Sequence, residues 1–279
     1  MAVRIVTDSS CDLTTEEAEE LGIDIVPLSI RFGTEEFTDR VDLTVDEFYK
    51  RLTESAALPE TSAPSPGAFE ETFRRAVELG ADGVVCINLS SELSATIQSA
   101  QNAARAVEGV IDVRVIDSRS ITSGLGSQVL AAARAAREGK TADEIVALVE
   151  DMVSRTHVVG ALDTLENLKK GGRIGGAQAL LGNLLSIKPL VDISTGKVEE
   201  AGKARTRRKA LQWLADRLLE RPAVENLCVT HGNAPDVDEF LALIASRYPR
   251  ESIRIGIIGP VIGTHGGPRV LGVTWQDPK

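Results

Sequence analysis

The first half of the chain alternates between two hydrophobic periods, and this alternation constrains the fold more than any other feature. VRIVTD (3–8), IDIVPLSI (23–30), GVVCINL (83–89) and VRVID (113–117) are short β-branched apolar runs that read as strands. Between them lie TTEEAEELG, VDEFYKRLTES, FEETFRRAVELG and LSATIQSAQNAARAV, whose apolar residues recur at helical spacing. Strand, helix, strand in that order predicts a mostly parallel sheet with helices on its faces. Ligands of such sheets sit beyond the carboxyl ends of the strands. There the sequence places Asp8, Ser9 and Ser10, then Ser90 and Ser91, then Asp117 and Ser118. A parallel sheet would bring these clusters to one rim, with more polar groups than capping requires.

The pattern changes after alanine-rich helices at about 122–154. A strand, a short helix, a glycine turn and a hairpin around Ser194-Thr195-Gly196 are read there. NLCVTHG (226–232), a helix over 236–247, IRIGIIGPVIG (253–263) and VLGVTWQ (270–276) complete a mixed half. At 279 residues the chain suits two domains sharing a cleft, or one large α/β unit. The expected division is an N-terminal α/β domain, 1–155, and a C-terminal α+β domain, 156–279.

Charge and composition exclude several classes. A net charge of −10 argues against broad nucleic-acid binding, which needs a basic field. No apolar run approaches the roughly 20 residues that span a bilayer, and MAVRIVTDSS lacks the pattern of a secretory signal. The expectation is a cytoplasmic protein. Cys11, Cys86 and Cys228 are too few and too scattered for a disulfide framework or a four-ligand zinc site. His157, His231 and His265 show no local metal-ligand spacing, so no metal is expected. KARTRRKA (203–210) stands out as basic, either a solvated helix start or a docking patch for an acidic partner.

Two local features raise the question of a ligand. In TSAPSPGAF (61–69), Ser65 before Pro66 reads as an N-cap, which leaves Thr61 and Ser62 outside the helix. They are either turn formers or ligands beside a helix N-terminus. His265 lies in GTHGGP, where glycines permit close backbone approach and an imidazole could bond a carboxylate or phosphate; the alternative is a turn histidine facing water. Catalytic signatures are missing: there is no GxxxxGK[ST], no GxSxG, and GGRIGG lacks dinucleotide spacing and context.

TSAPSPGAF, SSELSATIQSA, VIDS, LENLKKGGRIG, LLSIKPL and IGTHGGPRVLGV occur in the order and spacing of the DegV family. These are fatty-acid-binding proteins that include the FakB subunits of bacterial fatty-acid kinase. The resemblance covers about residues 3–276. It implies a two-domain α/β protein that is not itself an enzyme and buries one long-chain fatty acid, palmitate- or oleate-like, with no other cofactor. A separate ATP-binding kinase subunit would phosphorylate the carboxylate for phospholipid synthesis. By motif, Thr61, Ser62 and Ser94 would hold the carboxylate, with Ser91 and His265 nearby. Arg173 resembles the family arginine beside phosphoryl transfer, and Arg205 with Arg207 its docking segment for the kinase. Two positions depart from the family's usual glycines: Ala95 and Arg269, the latter able to narrow the channel if it points inward. The competing reading is a stand-alone hydrolase or transferase using Ser94 or Thr61 as nucleophile, with His265, Asp8 or Asp117 as base.

Overall fold

The structure, a computed structural model, describes residues 2–55 and 57–279, the side chains of 181–186 excepted. Chain order begins β1 (Val3–Asp8), α1 (Thr15–Leu21), β2 (Ile23–Val26), β3 (Ser29–Phe32), β4 (Glu35–Thr38) and α2 (Val45–Glu54). It continues through β5 (Glu60–Ser62), α3 (Pro66–Glu78), β6 (Gly83–Asn88), α4 (Thr96–Ala106), β7 (Asp112–Asp117), α5 (Thr122–Arg137) and α6 (Ala142–Arg155). The second half holds β8 (Thr156–Ala161), α7 (Glu166–Lys170), β9 (Lys188–Asp192), β10 (Glu199–Ala204), α8 (Arg207–Leu219) and β11 (Glu225–His231). It closes with α9 (Val237–Ile244), β12 (Arg254–Ile257), α10 (Pro260–Gly266) and β13 (Leu271–Gln276).

The expected parallel sheet is present, in the order β2-β1-β6-β7, every pairing parallel. Its central strands are continuously apolar because helices cover both faces. Val6, Val84 and Cys86 pack on Phe69, Phe73, Ala100 and Ala103 of α3 and α4. The alternate residues Ile5, Val85 and Ile87 pack on Leu125, Val129, Ile145 and Val149 of α5 and α6.

IDIVPLSI does not form one strand. Pro27, which has no N–H and restricts the residue before it, separates β2 in the parallel sheet from β3 in a small antiparallel sheet, β4-β3-β5. The Leu28 amide donates instead to the Ser9 hydroxyl at 3.1 Å. This small sheet brings Glu60–Ser62 alongside β3, so Thr61 and Ser62 belong to an edge strand and not to a turn.

The second half is a six-stranded mixed sheet, β10-β9-β8-β13-β11-β12. One face, including Val159, Leu190, Val229, Leu271 and Val273, packs under α8 and α9. The other face turns toward the N-terminal half, and Val158, Val191 and Val270 join the same apolar cluster as Leu125 and Leu89. No helix among the described residues is long and apolar enough to cross a membrane.

Candidate functional site

A cavity of about 220 Å³ lies between the six-stranded sheet and the N-terminal half. Its floor follows from one row of cross-strand neighbours: Val191, Gly160, Gly272 and Thr230 pair in register across β9, β8, β13 and β11. Registered neighbours share a face, so two adjacent glycines leave a gap where side chains would stand. The environment of Gly160 agrees with that. A Cβ built on Gly160 would approach nothing closer than 3.7 Å. Leu28, Leu89, Leu93 and Ile121 close the cavity from the N-terminal half, and Val261 and Ile262 of α10 from the side.

Thr61, Ser62, Ser94, Arg173 and His265 all line this cavity, although they come from four separate stretches of sequence. They are interlocked. Thr61 Oγ1 and His265 Nε2 are 2.9 Å apart. Gly171 lies so close to His265 that an added Cβ would sit 2.3 Å from Nδ1, which explains the glycine at that position. Arg173 donates to the Gly171 carbonyl at 2.7 Å and the Leu93 carbonyl at 3.1 Å. Among the described residues it has no carboxylate partner. Ser94 Oγ accepts from the Thr96 amide at 3.2 Å. The N-cap of α4 is Ala95, which offers no side-chain acceptor, so the positive end of that helix opens beside the cavity. Ala95 adopts a negative φ, and its methyl group is accommodated without strain.

Ser62 is exposed, and Thr61, Ser94, Arg173 and His265 are partly so, placing this polar group at the cavity mouth. Burial and, secondarily, the Arg173 charge hold His265 well below the usual histidine range, at about 4. The imidazole is therefore neutral at pH 7, and its Nδ1 is buried without a partner among the described residues. That is a poor general base, because no carboxylate orients it. Ser94 is no better activated, since its hydroxyl meets Thr96 Oγ1 at 2.9 Å. The other suggested bases are engaged elsewhere. Asp8 accepts from Ser10, Asn88 and Leu89, and Asp117 from Ser91 and Arg119.

Those same bonds correct part of the rim expectation. Asp8, Ser9, Ser10, Ser90 and Ser118 are buried loop fasteners. Ser91 is exposed, bonds Asp117 at 2.5 Å and does not line the cavity, because its loop turns it toward β7. Ser65 is the N-cap of α3, accepting from the Ala68 amide at 3.2 Å. His231 accepts from the Ala234 amide at 3.2 Å, and His157 lies 2.8 Å from Asp277.

The basic segment is divided. Arg205 is exposed, whereas Arg207 forms a two-pronged pair with Asp236 at 2.8 and 3.0 Å and is mostly buried. Arg269 does not enter the channel. Its backbone is left-handed at φ 62°, and its side chain runs outward to Asp163 and Asp236 at 3.6 and 3.8 Å. Arg269→Gly is therefore expected to leave ligand affinity within about twofold, since exposed ion pairs contribute little; titration of the variant with ligand checks this. LLSIKPL (184–190) begins outside the described side chains. No cluster of metal-binding side chains occurs among the described residues.

Sequence reasoning missed the glycine row. Its signal is present only as isolated glycines in two strands, VVGA and VLGV, whose registration is invisible in one dimension.

Comparison with known proteins agrees with this architecture. A family model described as an uncharacterised DegV family protein matches residues 2–277. A DegV domain-containing protein of Streptomyces coelicolor is 39% identical over 275 residues, covering 97% of each chain. A solved DegV family protein from Thermus thermophilus, described by its fatty-acid binding, superposes with TM-score 0.91 at 34% identity over 100% of both chains. A stearic-acid-binding protein from Eubacterium ventriosum superposes with TM-score 0.88 at 29% identity, covering 99% of this chain and 98% of the other. On sequence and fold together, the chain belongs to the DegV family.

Proposed function

We propose that this protein binds one long-chain fatty acid in the cavity and presents the carboxylate at its mouth to a separate ATP-dependent kinase subunit. The observation that carries the reading is the division of the cavity wall into an apolar interior and a polar mouth of Thr61, Ser62, Ser94, Arg173 and His265. A carboxylate leaving water must regain donors. The neutral His265 can donate from Nε2 to Thr61 Oγ1, which frees the Thr61 hydroxyl to donate outward to the acid. Ser62, Ser94 and the start of α4 supply further donors without a permanent ion pair. Each methylene of the tail contributes about 0.8 kcal/mol, on the order of 10 kcal/mol gross for a palmitate-length chain. The tail thus supplies affinity, and the head fixes register.

Arg173 reaches the mouth and is free of carboxylate partners among the described residues, which suits it to meet a γ-phosphate during transfer. Arg205, exposed and without an ion-pair partner among the described residues, can meet an acidic kinase surface, while Arg207, held by Asp236, shapes that surface. The absence of a phosphate loop fits a division of labour with an ATP-binding partner, and with it a cytoplasmic location. We place the domain boundary near residue 155, where α6 ends and the six-stranded sheet begins.

Two variants test the head group. Thr61→Val is expected to weaken palmitate binding about 10- to 100-fold, the effect of one charge-assisted hydrogen bond, measured by titration of delipidated protein. Arg173→Ala is expected to keep palmitate affinity but to lose acyl phosphate formation with a DegV-partner kinase and ATP. Full turnover by that variant would remove Arg173 from the transfer step.

A further inference from the structure

The buried interior of the cavity is apolar along most of its wall, but Thr122 and Thr230 interrupt it, Thr122 lying against the Asp12 carboxylate. Thr230 is 1% exposed, lines the cavity and has no hydrogen-bond partner for its hydroxyl among the described residues. It stands in the row that contains Gly160 and Gly272, with Gly256 as its neighbour on β12. A Cβ on Gly272 would lie 3.3 Å from Thr230 Oγ1, whereas one on Gly256 would lie 3.0 Å from the Thr230 methyl carbon. The methyl group therefore leans toward the sheet edge, and the hydroxyl leans toward the glycine gap. Thr230 shares no hydrogen bond with the polar mouth.

A buried hydroxyl without a partner is unfavourable. Valine has the same shape and would fill this position without that cost, so the hydroxyl is explained best by a ligand that satisfies it. An oxygen on the interior of an acyl chain has the complementary problem, since burying it in an apolar tunnel strips its hydration. We propose that Thr230 makes this cavity selective for fatty acids with a hydroxyl on an interior carbon, each hydroxyl satisfying the other. This inference rests on the fatty-acid reading above and specifies its substrate class.

The test compares full-length, delipidated protein with Thr230→Val and Thr230→Ser. Affinities are measured for stearate and for a panel of monohydroxystearates in which the hydroxyl moves stepwise along the chain. The expected result is one preferred position of substitution. Thr230→Val weakens that isomer about tenfold relative to stearate, while Thr230→Ser, which keeps the hydroxyl, retains the preference. Stearate binding with no isomer preferred, or a preference unchanged in Thr230→Val, overturns the inference and leaves the fatty-acid reading intact, with a water molecule as the partner of Thr230. Failure of stearate and of every isomer to bind overturns both.

Discussion

Gly160→Leu is expected to abolish tight binding of long-chain acids while leaving the fold intact. The new side chain would project from β8 into the gap in the cross-strand row, where the nearest atoms are the Leu271 carbonyl oxygen and a Val191 methyl at 3.7 Å. It therefore meets open cavity and not packed protein. Leucine carries four side-chain carbons, and excluding a similar number of ligand methylenes removes about 3 kcal/mol, or about 100-fold in affinity. Shorter acids that stop before the gap should lose much less. Filling a void also raises stability, so the thermal midpoint should hold or rise. Titration with palmitate and with a medium-chain acid separates the outcomes. Palmitate binding at wild-type strength would mean that the tail does not run over this row.

Asp39→Asn is expected to change the pH dependence of stability. Asp39 follows β4, is 1% exposed and lies beside Arg40, Asp12 and Asp8. Burial pushes its carboxyl up to about 7, Ser9 and Arg40 pulling the other way. The unfolded chain releases this proton near pH 4, so between about pH 4 and 7 the native state holds a proton that the unfolded state lacks. Stability contributed by this group is therefore lost as pH rises through that window and stays low above it. A shift of about three units corresponds to about 4 kcal/mol as an upper bound. Unfolding free energies of the two proteins from denaturant titration should coincide near pH 4 and diverge by about 2–4 kcal/mol at pH 8, with the asparagine variant more stable. Asp8 and Asp12, also raised by burial, slope the same way. His265, depressed to about 4, slopes the opposite way, losing stability as pH falls below its unfolded value. All three remain in both proteins, so the difference reports Asp39 together with its coupling to Asp8 and Asp12. Parallel curves would contradict the buried-proton account.

The parallel sheet was legible because the apolar periods of strands and helices alternate, and at α3 the expected cap is present: Ser65 caps it with its own side chain. The break at Pro27 was written in the sequence but not its result, since only tertiary pairing shows that β3 joins β4 and β5. Thr61, Ser62, Ser94, Arg173 and His265 could be named from motifs, and the fold brings them to one mouth. Ser91 could not be separated from them, because loop direction decides whether a serine after β6 meets Asp117 or the cavity. Arg207 and Arg269 look like free cations in the sequence; Asp163 and Asp236, distant in the chain, tie them down. The glycine row and Thr230 required strand register, which periodicity does not carry.

Native mass spectrometry of the purified protein, repeated after organic extraction, tests the central claim most directly. The account requires one bound species at the mass of a long-chain fatty acid, lost on extraction and regained on adding palmitate or oleate. A protein that is empty as isolated and takes up neither acid would contradict it.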